Sequence, residues 1–430
     1  SRVRALRVIS RTSAMHFKGT TKQLPEIARE LNVRYVLEGS VRRAGNSLRI
    51  TAQLIEAGTD AHLWAEKYAG TLDDVFDMQE KVSRAIADAL KVHLTPKEDR
   101  RLAARPLSNA AAYECYLRAF QDLMEFTPEA LARAERHLMQ AIGMVGEHPT
   151  LLAGLSTVHG QAVNCGFAGD DVLGDARRLA DKALGLDPDL PEAHASRAFL
   201  CMLEGNFPLG IHHYRRAVAG NPADVGSRAW LALYYMAVGK KEASLELMED
   251  CVRLDPINPI WRWWSGVPAV FSGEFEAALA ASSQVVEAFK GLPMVVFFHA
   301  ALLAYLDRRA DAIEFLDQLP AEGGSDGFVG LGHLLQAALR GDVPAFDALL
   351  TPALRKTTYR DAGHSYFVAD FLAILGRRDE ALEWWEHSVD GTWAPIAMFE
   401  RDPFLAPLRD DPRWERIMEK ARRVQASVPD

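Results

Sequence analysis

Proline and glycine residues recur every 34 positions through the middle of the chain. The period is marked by three prolines and three glycines, Pro188, Pro222, Pro256, Gly205, Gly239 and Gly273. Glycine permits a tight turn after a helix, because it adopts left-handed backbone conformations without steric cost. Proline ends the following helix, since it cannot continue the backbone hydrogen bonds. The period therefore predicts a stack of antiparallel helical pairs.

On this period the chain divides into eight predicted helical pairs. They cover residues 110–145, 150–186, 191–219, 225–253, 259–289, 294–318, 327–350 and 361–389. A further amphipathic helix is predicted over 412–424. Its apolar face, formed by Trp414, Ile417, Met418 and Ala421, suits it to cap the last pair.

The small, aromatic and proline positions of one unit resemble the tetratricopeptide repeat (TPR). The residues that carry this resemblance are Ala198, Gly205, Gly210, Tyr214, Ala217 and Pro222. The match covers about 110–390, and it departs from the family pattern at Cys251 and Lys290. The resemblance implies a superhelix whose first helices line a concave groove.

The positions that face the groove in this family are apolar here. The predicted partner-binding residues are Phe199, Met202, Leu233, Met236, Trp263, Val267 and Phe297. The groove lacks the Lys/Asn cluster with which chaperone-binding members hold a terminal carboxylate. An apolar groove suits a protein partner or an apolar or amphipathic peptide. The alternative is that a tight superhelix packs these side chains against the chain's own helices.

Adjacent tryptophans on one helix point in different directions, so each cluster contains core residues. We expect Trp264 and Trp384 to be buried, and Trp261 to be the exposed member that could contact a partner.

The first hundred residues follow a different pattern. A strand is predicted at 6–11 and a helix at 23–31. A hairpin is predicted from 35–43 and 47–55 around an Ala-Gly-Asn turn, followed by a strand at 63–68 and a helix at 72–94. The fold class is therefore a small α+β domain followed by an all-α TPR superhelix. The predicted division is 1–105, 106–400 and a capping tail, 401–430.

This first part resembles the TolB amino-terminal-like (FlgO-like) domain of bacterial multidomain regulators. The segments that carry the resemblance are 11–13 (RTS), 35–42 (YVLEGSVR), 49–54 (RITAQL) and 62–66 (HLWAE). The resemblance implies an effector earlier in the parent chain: a class III nucleotidyl cyclase, a winged-helix DNA-binding domain or a protein kinase. It also implies a strand and a helix before residue 6, so we expect a sheet that lacks an edge element.

Charge is unevenly distributed over the 430 residues, whose formal net charge is −9. Residues 1–105 hold 19 basic and 13 acidic residues, so the rest of the chain is acidic. The basic residues are dispersed and not interleaved with aromatic residues, which disfavours nucleic acid as a partner. The sequence has no apolar run of membrane-spanning length and only four cysteines, without a CxxC pair. We expect a cytoplasmic location, or a periplasmic one if the parent has an earlier membrane helix.

The catalytic motifs GxxxxGK[ST] and HExxH do not occur in the sequence. The stretch 323–327 (GGSDG) precedes a predicted helix, and we interpret it as an interhelical loop. His212 and His213 are adjacent on a predicted helix, a spacing that rarely serves one metal ion. We therefore predict a non-catalytic regulatory module with no cofactor, no catalytic residue and no metal site. The alternatives are the C-terminal portion of an adenylate or guanylate cyclase and the sensory part of a winged-helix regulator. Upstream sequence would distinguish these two alternatives.

Overall fold

A computed structural model describes residues 6–428, with gaps at 72–73, 97, 100–106, 108, 126, 290 and 322–326. It confirms the predicted fold class. A three-stranded antiparallel sheet with short helices comes first, and helical hairpins follow to the end of the chain.

The sheet has the order β1 (Tyr35–Ala44), β2 (Ser47–Glu56) and β3 (Ala61–Thr71). The predicted hairpin turn is present, and Gly45 takes the positive φ of 61° that the turn requires. The helix Val75–Ala89 packs against β2 and β3, and the helix Leu24–Leu31 contacts β1. Most of β1 is exposed, including Leu37 and Val41. Among the described residues, both outer strands, β1 and β3, pair on one side only, with β2.

The strand predicted at 6–11 is wrong. Residues 6–10 are irregular, and the helix Arg11–His16 follows them. Ser10 caps this helix, because its side-chain oxygen accepts a hydrogen bond from the Ser13 N–H at 3.0 Å. The Ser10 N–H donates to the Leu254 carbonyl at 2.8 Å. A contact with the distant repeat array therefore replaces strand pairing.

The array begins with four regular helical pairs. Their helices are Ala110–Leu123 and Pro128–Val145, Pro149–Asn164 and Asp170–Leu186, Pro191–Leu203 and Phe207–Gly220, and Val225–Ala237 and Lys241–Leu254. Gly205 and Gly239 lie in the turns within two of these pairs, with φ of 66° and 72°. These helices agree closely with the pairs predicted from the 34-residue period.

The fifth predicted pair is broken into four short helices. They are Pro259–Trp264, Val267–Phe271, Phe275–Ser283 and Val286–Phe289. Gly266 and Pro268 interrupt the first half, because glycine weakens a helix and proline lacks the N–H that a helix interior needs. Gly273, with a φ of 67°, forms the turn to the second half.

The rest of the chain returns to helical hairpins. The helices are Pro293–Tyr305, Arg309–Leu316, Gly327–Arg340, Val343–Leu349, Pro352–Arg360, Ala362–Ile374, Arg378–Asp390, Ile396–Arg401 and Pro412–Ala426. The helix Pro352–Arg360 was not predicted; Thr351 caps its first turn. In the last helix Ile417, Met418 and Ala421 are buried. None of the helices in the described ranges combines the length and apolar character needed to cross a bilayer.

Candidate partner-binding surface

The seven residues predicted to line an open groove lie mainly in the core. Phe199, Met202, Met236, Trp263, Val267 and Phe297 are buried, and Leu233 is half-buried. Phe297 is 0% exposed. These side chains do not form an open apolar surface in the structure. Partner binding by this set stays a prediction, and it would require movement of the helices that cover it.

Ring contacts show what covers these positions. The Phe199 ring lies 5.6 Å from that of Trp230, and the Phe297 ring lies 5.0 Å from that of Phe367. The Trp263 ring lies 5.7 Å from that of Phe298. The covering residues belong to the following helices, and for Phe297 to a helix some seventy positions later. The arrangement corresponds to the alternative in which a tight superhelix packs on itself.

The structure confirms the predicted burial or exposure of one of three tryptophans. Trp384 is buried, as predicted. Trp264 is only half-buried, so that expectation is wrong; Trp263 takes the buried position instead. Trp261 is half-buried rather than exposed, and its Nε1–H donates to Asp255 Oδ2 at 2.7 Å. Trp261 thus serves an internal contact.

Asp255 joins the N-terminal residues to the repeat array. The carboxylate is 3% exposed and accepts hydrogen bonds from Ser10 Oγ and, at 2.7 Å, from Ser13 Oγ. Asn258 Nδ2 and Trp261 Nε1 donate to its other oxygen. Burial works to raise the pKa of Asp255, but these hydrogen bonds outweigh it and hold the pKa below its usual range. A charged, fully bonded carboxylate therefore fixes the start of the described chain on the turn 254–258.

Residues 391–401, hereafter the C-terminal segment, lie across three turns of the array. We call these turns, at Gly205, Gly239 and Gly273, the turn row. Thr392 Oγ1 accepts from the Phe207 N–H and donates to the Gly205 carbonyl, both at 2.9 Å. The Ala394 N–H donates to the Ala237 carbonyl at 2.6 Å. The C-terminal segment therefore bonds to backbone groups about 160 to 190 positions earlier in the chain.

Further contacts extend this attachment along the turn row. Arg401 donates from Nη1 to the Ser272 carbonyl, and Gln425 Nε2 donates to the Gly239 carbonyl at 3.2 Å. The Trp393 ring lies between Phe207 and Phe271, with ring centroids 5.8 Å and 5.0 Å away, and it is 5% exposed. Sequence reasoning missed this site entirely. The available signal was an isolated tryptophan in a Gly-Thr-Trp-Ala-Pro stretch between two helices.

Two carboxyl groups are buried near the end of the C-terminal segment, Asp402 directly after it and Asp370 in the helix Ala362–Ile374. Tyr366 donates its hydroxyl to Asp402, and Tyr305 donates to Asp370 Oδ2 at 2.6 Å. Burial raises the pKa of Asp402 to about 6 and that of Asp370 further. No donor among the described residues reaches Asp370 Oδ1. Burial thus favours the protonated form of both carboxyl groups.

His212 is exposed, whereas His213 faces His194 of the preceding helix. His213 Nδ1 lies 2.9 Å from His194 Nδ1, and burial lowers the pKa of His213 to about 4. No group of three His, Cys, Asp or Glu side chains in the described ranges could hold a metal ion. The His194–His213 contact is a neutral hydrogen-bonded pair between two helices.

One curated protein is similar to this chain over part of its length. No family model matches the chain. It is 38% identical over 203 residues, 46% of its length, to "Putative adenylate cyclase 3" of Rhizobium meliloti (strain 1021). The chain spans about a third of that relative's length, since the match covers 34% of it.

Solved structures with a similar path are TPR proteins of low sequence identity. A tetratricopeptide repeat protein from Parabacteroides merdae is 13% identical, with a TM-score of 0.40 over 65% of this chain and 99% of that chain. YrrB, described as a TPR protein with an unusual peptide-binding site, is 16% identical, with a TM-score of 0.32 over 49% of this chain and 96% of that chain. Because these sequence identities and TM-scores are low, the fold is assigned from the chain's own helical pairs.

Proposed function

We propose that this chain is a non-catalytic interaction region of a multidomain signalling protein. Its helical array binds a protein partner, and the small α+β unit passes that state to an effector of the nucleotidyl cyclase class. The observation that carries the proposal is the 38% identity over 203 residues to the Rhizobium meliloti protein named as an adenylate cyclase. A stack of helical hairpins is a scaffold typical of protein binding, and the motifs GxxxxGK[ST] and HExxH do not occur in the sequence.

Within this proposal the first part of the chain acts as a TolB-amino-terminal-like unit. The hairpin of β1 and β2 and the flanking helices support that assignment, whereas the missing strand at 6–11 departs from the expected pattern. Ser10, Ser13 and Asp255 supply the physical link through which the array could influence this unit. A cytoplasmic location is proposed with it, because the four cysteines are free thiols.

The non-catalytic part is tested with the purified chain, ATP or GTP, and Mg²⁺ or Mn²⁺. We expect no cyclic nucleotide above a protein-free control. Turnover that scales with protein concentration would overturn this part of the proposal.

The partner-binding part is tested by crosslinking mass spectrometry in cells of the source organism. We expect one protein to crosslink repeatedly to helices within residues 110–390. A Ser10→Ala variant serves as the control, because it removes an N-terminal hydrogen bond to Asp255 and leaves the bonds of Asp255 to Asn258 and Trp261 in place. Crosslinks confined to residues 6–71, or lost in this variant, would place partner binding outside the array.

A further inference from the structure

The C-terminal segment contacts the turn row through backbone hydrogen bonds and one aromatic side chain, as a bound peptide would. Residues 391–392 form a turn and residues 393–395 are irregular, and polar groups of Thr392 and Ala394 bond to backbone atoms of the turn row. Main-chain hydrogen bonds combined with pockets for side chains are a common means of peptide recognition. We propose that the turn row is a peptide-binding surface and that the C-terminal segment is its displaceable internal ligand.

The glycines of the turn row leave the space in which the segment lies. A Cβ at Gly205 would lie 3.1 Å from the Gly391 Cα. A Cβ at Gly273 would lie 2.6 Å from the Arg401 Cβ. At Gly239 it would lie 3.2 Å from the Ala394 carbonyl oxygen. All three positions therefore combine a left-handed turn with a close approach of the segment.

Two later turn glycines show that this approach is not a property of the turn itself. Gly341 and Gly376 also have positive φ, 69° and 74°. A Cβ at either position would meet no described atom within 4 Å. The same backbone turn is thus open near the end of the array and covered in its middle. Coverage depends on the C-terminal segment.

The docked segment carries one cost that favours its release. The Trp393 Nε1–H is buried and has no acceptor among the described residues. A ligand that avoids this cost would compete with the segment for the same surface.

The recognised chemistry follows from the contacts. A side-chain hydroxyl bonds both the N–H and the carbonyl of one turn, as Thr392 does. The next residue inserts an aromatic ring between Phe207 and Phe271, and a small residue then donates its N–H to Ala237. The external ligand is therefore a polypeptide that presents a hydroxyl residue, a tryptophan and a small residue in that order. This inference rests on the proposed partner-binding role of the array, and it is independent of the effector's identity.

The test uses a fluorescent synthetic peptide with the sequence of residues 388–402 and measures its binding by anisotropy. The tethered segment competes at high effective concentration in the wild-type chain. In the Trp393→Ala variant the segment loses its anchor while the turn row is unchanged. We expect this variant to bind the peptide at least about tenfold more tightly than wild type does.

The controls separate site-specific binding from general exposure of the core. A peptide with Trp replaced by Ala is expected to bind neither protein. If Trp393→Ala fails to fold, Arg401→Ala is used, because Arg401 is exposed and attaches the segment through its hydrogen bond to Ser272. Equal affinity of the two peptides, or of the variant and wild type, overturns the proposal. Such a failure leaves crosslinking of a protein partner elsewhere on the array unaffected, so the two proposals fail separately.

Discussion

Two stretches of the repeat array use the same glycine turn and differ in what lies against it. In the middle of the array, Gly205, Gly239 and Gly273 are covered by residues 391–425. Near its end, Gly341 and Gly376 have the same backbone conformation and no close neighbour among the described atoms. A positive φ alone thus explains the glycine at the end of the array. In the middle, the glycine is required twice, once for the turn and once for the approach of the C-terminal segment.

Loss of the Trp393 anchor is expected to have the largest effect on the difference between the covered turns in the middle of the array and the open turns at its end. Trp393→Ala should lower the free energy of unfolding by about 3–5 kcal/mol, because a buried aromatic side chain leaves a cavity between Phe207 and Phe271. Denaturant unfolding measures the loss. Hydrogen exchange should accelerate at the Ala394 and Phe207 amides and stay unchanged around Gly341.

Trp393→Phe is the matched control for this anchor. It keeps an aromatic ring and removes the indole N–H that has no acceptor in the described part of the chain. We expect a much smaller loss than for alanine. Uniform acceleration of exchange along the whole array in Trp393→Ala would mean that the segment does not protect the middle turns specifically.

The carboxyl pair at Asp370 and Asp402 should make attachment of the segment depend on pH. The pKa of Asp402 rises from 3.8 to about 6 on folding, so the folded chain holds a proton that the unfolded chain releases. The associated stability is complete below pH 4 and falls as pH rises through 6. A tenfold difference in proton affinity between the two states corresponds to about 1.4 kcal/mol. Unfolding by urea at pH 4, 6 and 8 measures the slope.

Asp370→Asn tests the origin of this slope. The amide is neutral and keeps an acceptor for the Tyr305 hydroxyl and a donor toward Asp402. We expect the variant to resemble wild type at pH 4 and to exceed it in stability at pH 8. An equal loss at all three pH values would show that packing, and not protonation, governs this position.

A smaller effect is expected from adding one methyl group to a covered turn and to an open one. Gly273→Ala and Gly341→Ala share the cost of a left-handed alanine, about 1–2 kcal/mol, because φ is 67° and 69°. Gly273→Ala adds a clash with the Arg401 Cβ, worth about 1–3 kcal/mol more. The difference between the free energies of unfolding of the two variants measures the effect of the close approach of the C-terminal segment at Gly273. Equal values would contradict its close approach.

The repeat itself could be predicted because turn and helix signals are local. Gly205, Gly239 and Pro222 act through the backbone conformation of their own neighbours, so a period in the sequence is enough to locate the helices. The fifth pair deviates for an equally local reason, the closely spaced Gly266 and Pro268 in one helix. These two residues were visible in the sequence.

The placement of the candidate binding residues could not be predicted in the same way. Burial of Phe297 depends on Phe367, and the position of Trp393 depends on Phe207, far away in sequence. The pitch of the superhelix decides such contacts, and no local pattern encodes it. The strand expected at 6–11 failed for this reason too, since Ser10 bonds to Leu254 and Asp255.

The smallest effect is expected at the contact of Ser10 and Ser13 with Asp255. Polar groups hold this contact, whereas an aromatic anchor holds the C-terminal segment. Ser13 is 1% exposed, donates to Asp255 and accepts from the Ile257 N–H at 3.1 Å. Ser13→Ala should cost about 1 kcal/mol, because Asp255 keeps three of its donors. Denaturant unfolding measures this cost, and Ser13→Thr, which keeps the hydroxyl, is the control. Exchange at the Ser10 amide should accelerate while exchange at Ala394 stays unchanged. Coupled acceleration at both sites would show that the two attachments form one cooperative unit, so that release of the C-terminal segment would reach the α+β unit directly.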